Sequence, residues 1–142
     1  MKELTIRKCR KKDISSVINV ENESFEYPYS ERVFKTFLKS DKFIVAQVRD
    51  NIVGYILADT REGQGIILSI GVLPEYRRKG IGSKLMESVF GILDTEIVRL
   101  TLRKSNLSAF RFYERLGFKV VGYINGYYKN GEDAIVMKKN IG

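Results

Sequence analysis

Two glycines and three cations stand together in Val72-Leu73-Pro74-Glu75-Tyr76-Arg77-Arg78-Lys79-Gly80-Ile81-Gly82. An apolar run before it, Ile66 to Val72, predicts a buried strand. An amphipathic run after it, Ile81 to Leu93, predicts a helix. The segment is therefore a strand-to-helix turn. A helix N-terminus offers unpaired N–H groups and the positive end of its dipole. Glycine lets a phosphate approach that backbone closely. The local chemistry is that of a pyrophosphate seat.

Other chemistry is bounded by what the chain lacks. It has no histidine, which removes His-based triads, two-histidine zinc helices and imidazole bases. Its one cysteine, Cys9, permits no intramolecular disulfide and makes no thiolate metal site, so no metal is expected. Acid–base work falls to Tyr, Asp, Glu, Lys, water or the substrate. The net charge of +8, from 25 Lys+Arg against 17 Asp+Glu, favours an anionic partner such as a phosphorylated cofactor or nucleic acid. No RNA-module signature accompanies the charge, and direct nucleic-acid binding is not expected.

The elements that must position these groups follow from periodicity. Leu4 to Cys9 predicts a strand, and Ile14, Val17, Ile18 and Glu21 to Phe25 a helix. Ser30 is placed to cap a second helix carrying Val33, Phe34, Phe37 and Leu38. Phe43 to Val48 and Ile52 to Asp59 flank a hairpin signal at Arg49-Asp50-Asn51, and Gly63 and Gly65 bracket another turn. Beyond the Ile81 helix come a strand from Glu96 to Arg103, a helix from Leu107 to Leu116 closed by Gly117, and strands at Phe118 to Tyr123 and Ala134 to Lys138. The order β-α-α-β-β-β-α-β-α-β-β predicts an α+β (mixed α/β) domain, a twisted sheet with helices on both faces. The length of 142 residues fits one domain spanning the chain. No run reaches membrane-span length and the start lacks a signal-peptide stretch, so a cytoplasmic protein without a membrane partner is expected.

Arg77-x-x-Gly80-x-Gly82 is joined by four further blocks: Leu100-Thr101-Leu102-Arg103-Lys104, Tyr27-Pro28-Tyr29-Ser30-Glu31-x-x-Phe34, Ser105-Asn106-x-x-Ala109-x-x-x-Tyr113-Glu114-x-Leu116-Gly117-Phe118 and Gly126-Tyr127-Tyr128-x-x-Gly131-Glu132-Asp133-Ala134-x-x-Met137. Together they resemble the GNAT N-acetyltransferase superfamily over nearly the whole chain. Within it they are similar to ribosomal-protein-alanine acetyltransferases and to archaeal and eukaryotic catalytic subunits of N-terminal acetyltransferases. The resemblance implies a fold of about seven strands and four helices, and it makes the pyrophosphate that of acetyl-CoA. The N–H groups of Arg78, Lys79, Gly80, Ile81, Gly82 and Ser83 would hold it, with Arg77, Arg78 and Lys79 adding charge. Ile70, Gly71 and Val72 would pair with the pantetheine arm, and the Val72 N–H would face the thioester oxygen. Asn106 and Tyr113 lie two helical turns apart, about 10 Å along one face. By resemblance Asn106 contacts the cofactor and Tyr113 is the acid for the departing thiolate. An unperturbed Tyr would give up its proton to a thiolate uphill by roughly 2 kcal/mol, so a hydrogen bond is the safer role.

The resemblance further implies that Phe25, Tyr27, Pro28 and Tyr29 on one loop, and Tyr127 and Tyr128 on another, clamp a peptide. Thr101 departs from the ribosomal-protein-alanine pattern, in which a glutamate at that strand position serves as base. Glu26 and Glu31 are the candidate replacements. An α-amino group with pKa ~7.7–8.0 is roughly a tenth neutral at pH 7 and needs less help than a lysine. The implied activity is acetyl transfer by direct attack to protein N-termini, those of nascent chains or ribosomal proteins among them, with an auxiliary subunit as a further partner. Lysine or small-amine acetylation on the same fold stays open, as does a non-catalytic acetyl-CoA or RNA-binding role.

Overall fold

The computed structural model describes residues 3–26 and 28–142. Its elements are β1 (Leu4–Lys8), α1 (Ile14–Ser24), α2 (Glu31–Thr36), β2 (Phe43–Val48), β3 (Asn51–Arg61), β4 (Gln64–Val72), α3 (Ile81–Phe90), β5 (Ile97–Arg103), α4 (Leu107–Arg115), β6 (Lys119–Ile124) and β7 (Ala134–Asn140). One-turn helices at Lys11–Asp13 and Pro74–Tyr76 precede α1 and follow β4. The strands hydrogen-bond in the order β1-β2-β3-β4-β5-β7-β6, with the β4–β5 pair parallel and β1–β2, β2–β3, β5–β7 and β6–β7 antiparallel. This is the α+β architecture that the element order predicts. Among the described residues no helix is long and apolar enough to cross a membrane.

The chain divides into two compact units. The first lies within Met1–Asp59 and Leu68–Leu93. Neighbouring residues on β3 show its layering. A Cβ at Gly54 would sit 3.3 Å from Leu85 of α3, whereas the next side chain, Tyr55, reaches Glu21 of α1. Consecutive strand residues face opposite sides, so α1 and α3 cover opposite faces. Gly71 is a glycine for the same reason of space. A Cβ there would meet Ser24 Oγ and Tyr55 at 3.1 Å and Val20 at 3.3 Å, so α1 lies close on β4. Val17, Val20, Phe34, Phe43 and Tyr55 are fully buried between them.

The second unit comprises Thr60–Ile67 and Asp94–Gly142. Along β5, Val98, Leu100 and Leu102 alternate into the interior, and Leu100 and Leu102 stand opposite Met137 and Ile135 of β7. The end of α4 is tied off by Gly117 at φ 95°. Phe118 N donates to Tyr113 O and Gly117 N to Glu114 O, both at 3.0 Å. The Phe118 ring meets Tyr113 edge-on, which completes the hydrophobic contact of this helix stop.

Several boundaries differ from expectation, each for a local reason. The helix from Ile81 ends at Phe90 rather than Leu93, because the poor helix former Gly91 takes the C-cap. The second helix stops at Thr36, with Phe37 and Leu38 in the turn after it. Ser30 holds the N-cap position, but only its carbonyl serves, accepting from Val33 N. Gly65 lies inside β4, opposite Val98. The hairpin turn is Glu62-Gly63, whose φ angles of 54° and 77° suit a two-residue hairpin.

Candidate active site

In the first unit, the end of β4 presents main-chain donors. Leu73 N donates to Val53 O of β3 at 2.8 Å. Successive N–H groups of an extended chain point to opposite edges. The N–H groups of Ile70 and Val72 therefore point away from β3, toward the edge where the β5 ladder ends at Ile66. Arg77 Nε donates to Val72 O at 2.8 Å and folds the following turn back onto the strand end. Arg78 and Gly80 then adopt φ angles of 62° and 81°. A Cβ on Gly80 would meet nothing within 4 Å, so backbone conformation and not space calls for glycine. Gly80 is the N-cap of α3 and brings no side chain to cap it. The first N–H groups of the helix, at Ile81, Gly82 and Ser83, have no intrahelical acceptor. Arg77, Arg78 and Lys79 are exposed around this turn.

The loop between α1 and α2 belongs to the same unit. Phe25 is half-buried, while Pro28 and Tyr29 are exposed. Tyr27 lies outside the described residues. The Tyr29 hydroxyl is 3.5 Å from Leu68 O on β4, and its ring meets Phe34 edge-on. Of the two candidate bases, Glu26 is exposed on this loop, and Glu31 opens α2 in an exposed ion pair with Lys35 at 3.5 Å. A carboxylate that sequence reasoning missed is Glu21, buried beneath the loop with Tyr55 and Ser69. Its signal was a glutamate on the apolar face of α1, four residues after Val17 and seven after Ile14.

In the second unit, Asn106 is the N-cap of α4. Its Oδ1 accepts from Ala109 N at 3.2 Å, which leaves the amide nitrogen as the group able to donate. Tyr113 lies two turns on and is buried. Burial, with Tyr128 nearby, pushes its phenol well above the ordinary tyrosine value. Tyr128 is half-buried, and burial raises its phenol while the Thr101 hydroxyl near it opposes the rise. The Arg103 guanidinium lies 4.6 Å over the Tyr128 ring, and Tyr127 packs edge-on against Tyr128 while remaining exposed. Glu132 braces this group. It takes Ser105 N at 2.6 Å, lies 3.9 Å from Arg103, and its carbonyl accepts from Tyr128 N. The Ser105 hydroxyl and main-chain N–H beside it hold its carboxyl below the usual range. Arg103 and Glu132 had no assigned role; both stand in the sequence blocks that carry the resemblance.

A family model described as acetyltransferase (GNAT) family matches residues 14–118. An uncharacterized N-acetyltransferase of Methanocaldococcus jannaschii is 37% identical, over 96% of this chain and 91% of that protein. An N-alpha-acetyltransferase of Saccharolobus solfataricus is 35% identical, over 97% of this chain and 93% of its own length. Among solved structures, Ard1 from Thermoplasma volcanium superposes with a TM-score of 0.91 at 28% identity, covering 97% of each chain.

Proposed function

Because the chain belongs to the acetyltransferase (GNAT) family, we propose that it transfers the acetyl group of acetyl-CoA to the N-terminal α-amino group of proteins. The family gives acetyl transfer; the acceptor is the added step. One observation carries it. The strand position where the ribosomal-protein-alanine pattern has a glutamate as base holds Thr101, whose hydroxyl cannot do that job. An acceptor that is partly neutral at pH 7 suits such a site, and an α-amine meets that need where a lysine near 10.4 does not. The N-alpha-acetyltransferase relative at 35% identity supports the same choice.

The residues fit the cofactor. An N-terminal turn with a bare glycine cap and left-handed backbone at Arg78 and Gly80 suits a pyrophosphate. The N–H groups of Ile70 and Val72 suit an extended amide-bearing arm. By the resemblance Asn106 would contact the cofactor, and its amide nitrogen is the group able to donate. Bound acetyl-CoA supplies an acetyl group already activated as a thioester. The Val72 N–H would face the carbonyl oxygen and stabilise the negative charge that develops there. Tyr113, whose phenol burial keeps protonated, would by the resemblance offer a hydrogen bond to the departing sulfur. The amine proton leaves to water or to a carboxylate beside the acceptor loop, for which Glu26 on the loop and Glu31 at the start of α2 are the candidates. By the resemblance Phe25, Pro28 and Tyr29 would contact the first residues of the acceptor, and Tyr127 and Tyr128 carry the same expectation. The acceptors in this reading are cytoplasmic nascent chains and ribosomal proteins, with an auxiliary subunit as a further partner.

The test is initial-rate acetylation of Ala-, Ser- and Met-starting peptides beside an N-blocked peptide carrying one lysine. Preferential turnover of the free N-termini is expected. Equal or faster turnover of the lysine peptide rejects the proposal.

A further inference from the structure

Glu21 carries a carboxylate into the interior with 2% exposure, and the transfer chemistry gives it no task. Burying such a group is costly unless every lone pair is used. Here both oxygens are engaged, on different parts of the first unit. Oε1 accepts from the Tyr55 hydroxyl of β3 and from Ser69 Oγ of β4 at 3.1 Å, and those two hydroxyls lie 2.6 Å apart. Oε2 accepts from the main-chain N–H of Tyr29 at 2.7 Å. The main-chain carbonyl of Glu21 accepts from Phe25 N at 3.0 Å. Both the first and the fifth residue of the loop thus hang from one residue, which is itself pinned to two strands.

We propose that Glu21 is the positioning residue of the acceptor-binding loop, tying Phe25 and Tyr29 to β3 and β4 so that Tyr29 meets the incoming amine-bearing chain. The inference rests on the loop's assignment to the acceptor given above. A short exposed loop would ordinarily satisfy its N–H groups with water and sample many shapes. A charge-assisted bond from a buried carboxylate is shorter and stronger than a neutral one, and it imposes one shape. The consequence reaches the Tyr29 side chain. Once its N–H is held, its ring lies edge-on to Phe34, which packs on Tyr55, and its hydroxyl comes within 3.5 Å of Leu68 O. Tyr55 therefore touches the loop twice, through Glu21 and through Phe34.

The test uses Glu21→Leu and Glu21→Gln. Leucine fills the space without an acceptor. Glutamine can accept from Tyr29 N–H through its oxygen and donate to Tyr55 and Ser69 through its nitrogen. Glu21→Leu is expected to raise the acceptor KM about tenfold, the loss of one bond to a charged group, with the acetyl-CoA KM unchanged. Exchange of the Tyr29 amide hydrogen should accelerate in parallel, and Glu21→Gln should restore both. A folded Glu21→Leu enzyme with an unaltered acceptor KM, or with acetyl-CoA KM raised equally, overturns the proposal. If Glu21→Leu fails to fold, Tyr29→Pro is compared with Tyr29→Ala. Both remove the ring and only proline removes the N–H. A markedly higher acceptor KM for proline supports the anchor, and equal values overturn it. The acceptor is whichever peptide, N-terminal or lysine, the unaltered enzyme acetylates. Turnover of lysine alone rejects the N-terminal reading while Glu21 is still judged on that peptide. Turnover of neither rejects both.

Discussion

Tyr113 is held on three sides by its own unit. Its carbonyl takes the Phe118 N–H, and its ring packs against Phe112 and Phe118. Burial raises its phenol far above neutral pH, so it can donate a hydrogen bond but is poorly matched to give up a proton. Tyr113→Phe keeps the packing and deletes the donor. Its kcat should fall about 10²-fold with both KM values little changed, in the range seen when one donor to a developing charge is removed. Steady-state kinetics on both substrates checks this, and unchanged kcat would remove Tyr113 from the mechanism. Cys9 shows the same physics without a role. Burial pushes its thiol up to about 12, which leaves it inert, as its isolation in the sequence suggested.

The element that concentrates cofactor chemistry is the turn from β4 into α3. Leu73 N–H fixes the strand end to β3, Arg77 folds the turn back onto Val72, and Gly80 opens the helix with a left-handed residue. Gly80→Ala clashes with nothing, so its penalty is conformational, about 1–2 kcal/mol for a left-handed alanine. Relaxing that strain would rotate the N–H groups at the start of α3. Calorimetry should show coenzyme A binding weakened about tenfold, with the melting temperature only slightly lowered. Gly80→Asn, which tolerates the left-handed region, should recover most of the affinity. Wild-type binding by the alanine variant would place the pyrophosphate elsewhere.

The stability of the molecule as a whole depends on pH through an ion pair far from the chemistry. Asp13 is buried at the entrance to α1, where it accepts two bonds from the Arg7 guanidinium of β1, at 2.8 and 3.0 Å, and one from Arg10 N. Burial alone would raise its carboxyl. The bonds from Arg7 and Arg10 outweigh burial and hold it below the ordinary value. A depressed folded value means that the stabilisation is fully present above the unfolded value near 4 and is lost as pH falls through the folded one. The urea midpoint should therefore drop as pH falls below about 4. Asp13→Asn should cost about 1–3 kcal/mol at pH 7 and show a flatter acid limb. An unchanged acid limb would remove Asp13 as its source.

The sequence by itself determined the element order, the α+β class and the strand-to-helix turn. Those depend on period-2 and period-3.6 patterns and on residues, such as Gly80 and Gly117, whose backbone preferences act locally. The resemblance singled out Asn106 and Tyr113, and chain geometry sets them two helical turns apart on α4. The sequence did not reveal Glu21, since glutamates are ordinarily solvated and only the meeting of α1 with β3 and β4 supplies the hydroxyls and loop N–H that make burial tolerable. Nor did it reveal what stands near Thr101, because Tyr128, whose phenol that hydroxyl influences, lies 27 residues away along the chain. Helix ends at Phe90 and Thr36 likewise escaped it, since Gly91 and Phe37 weigh a weak local propensity against tertiary packing. Local periodicity is written in the order of residues, whereas the pairing of buried polar groups exists only once distant segments share one interior.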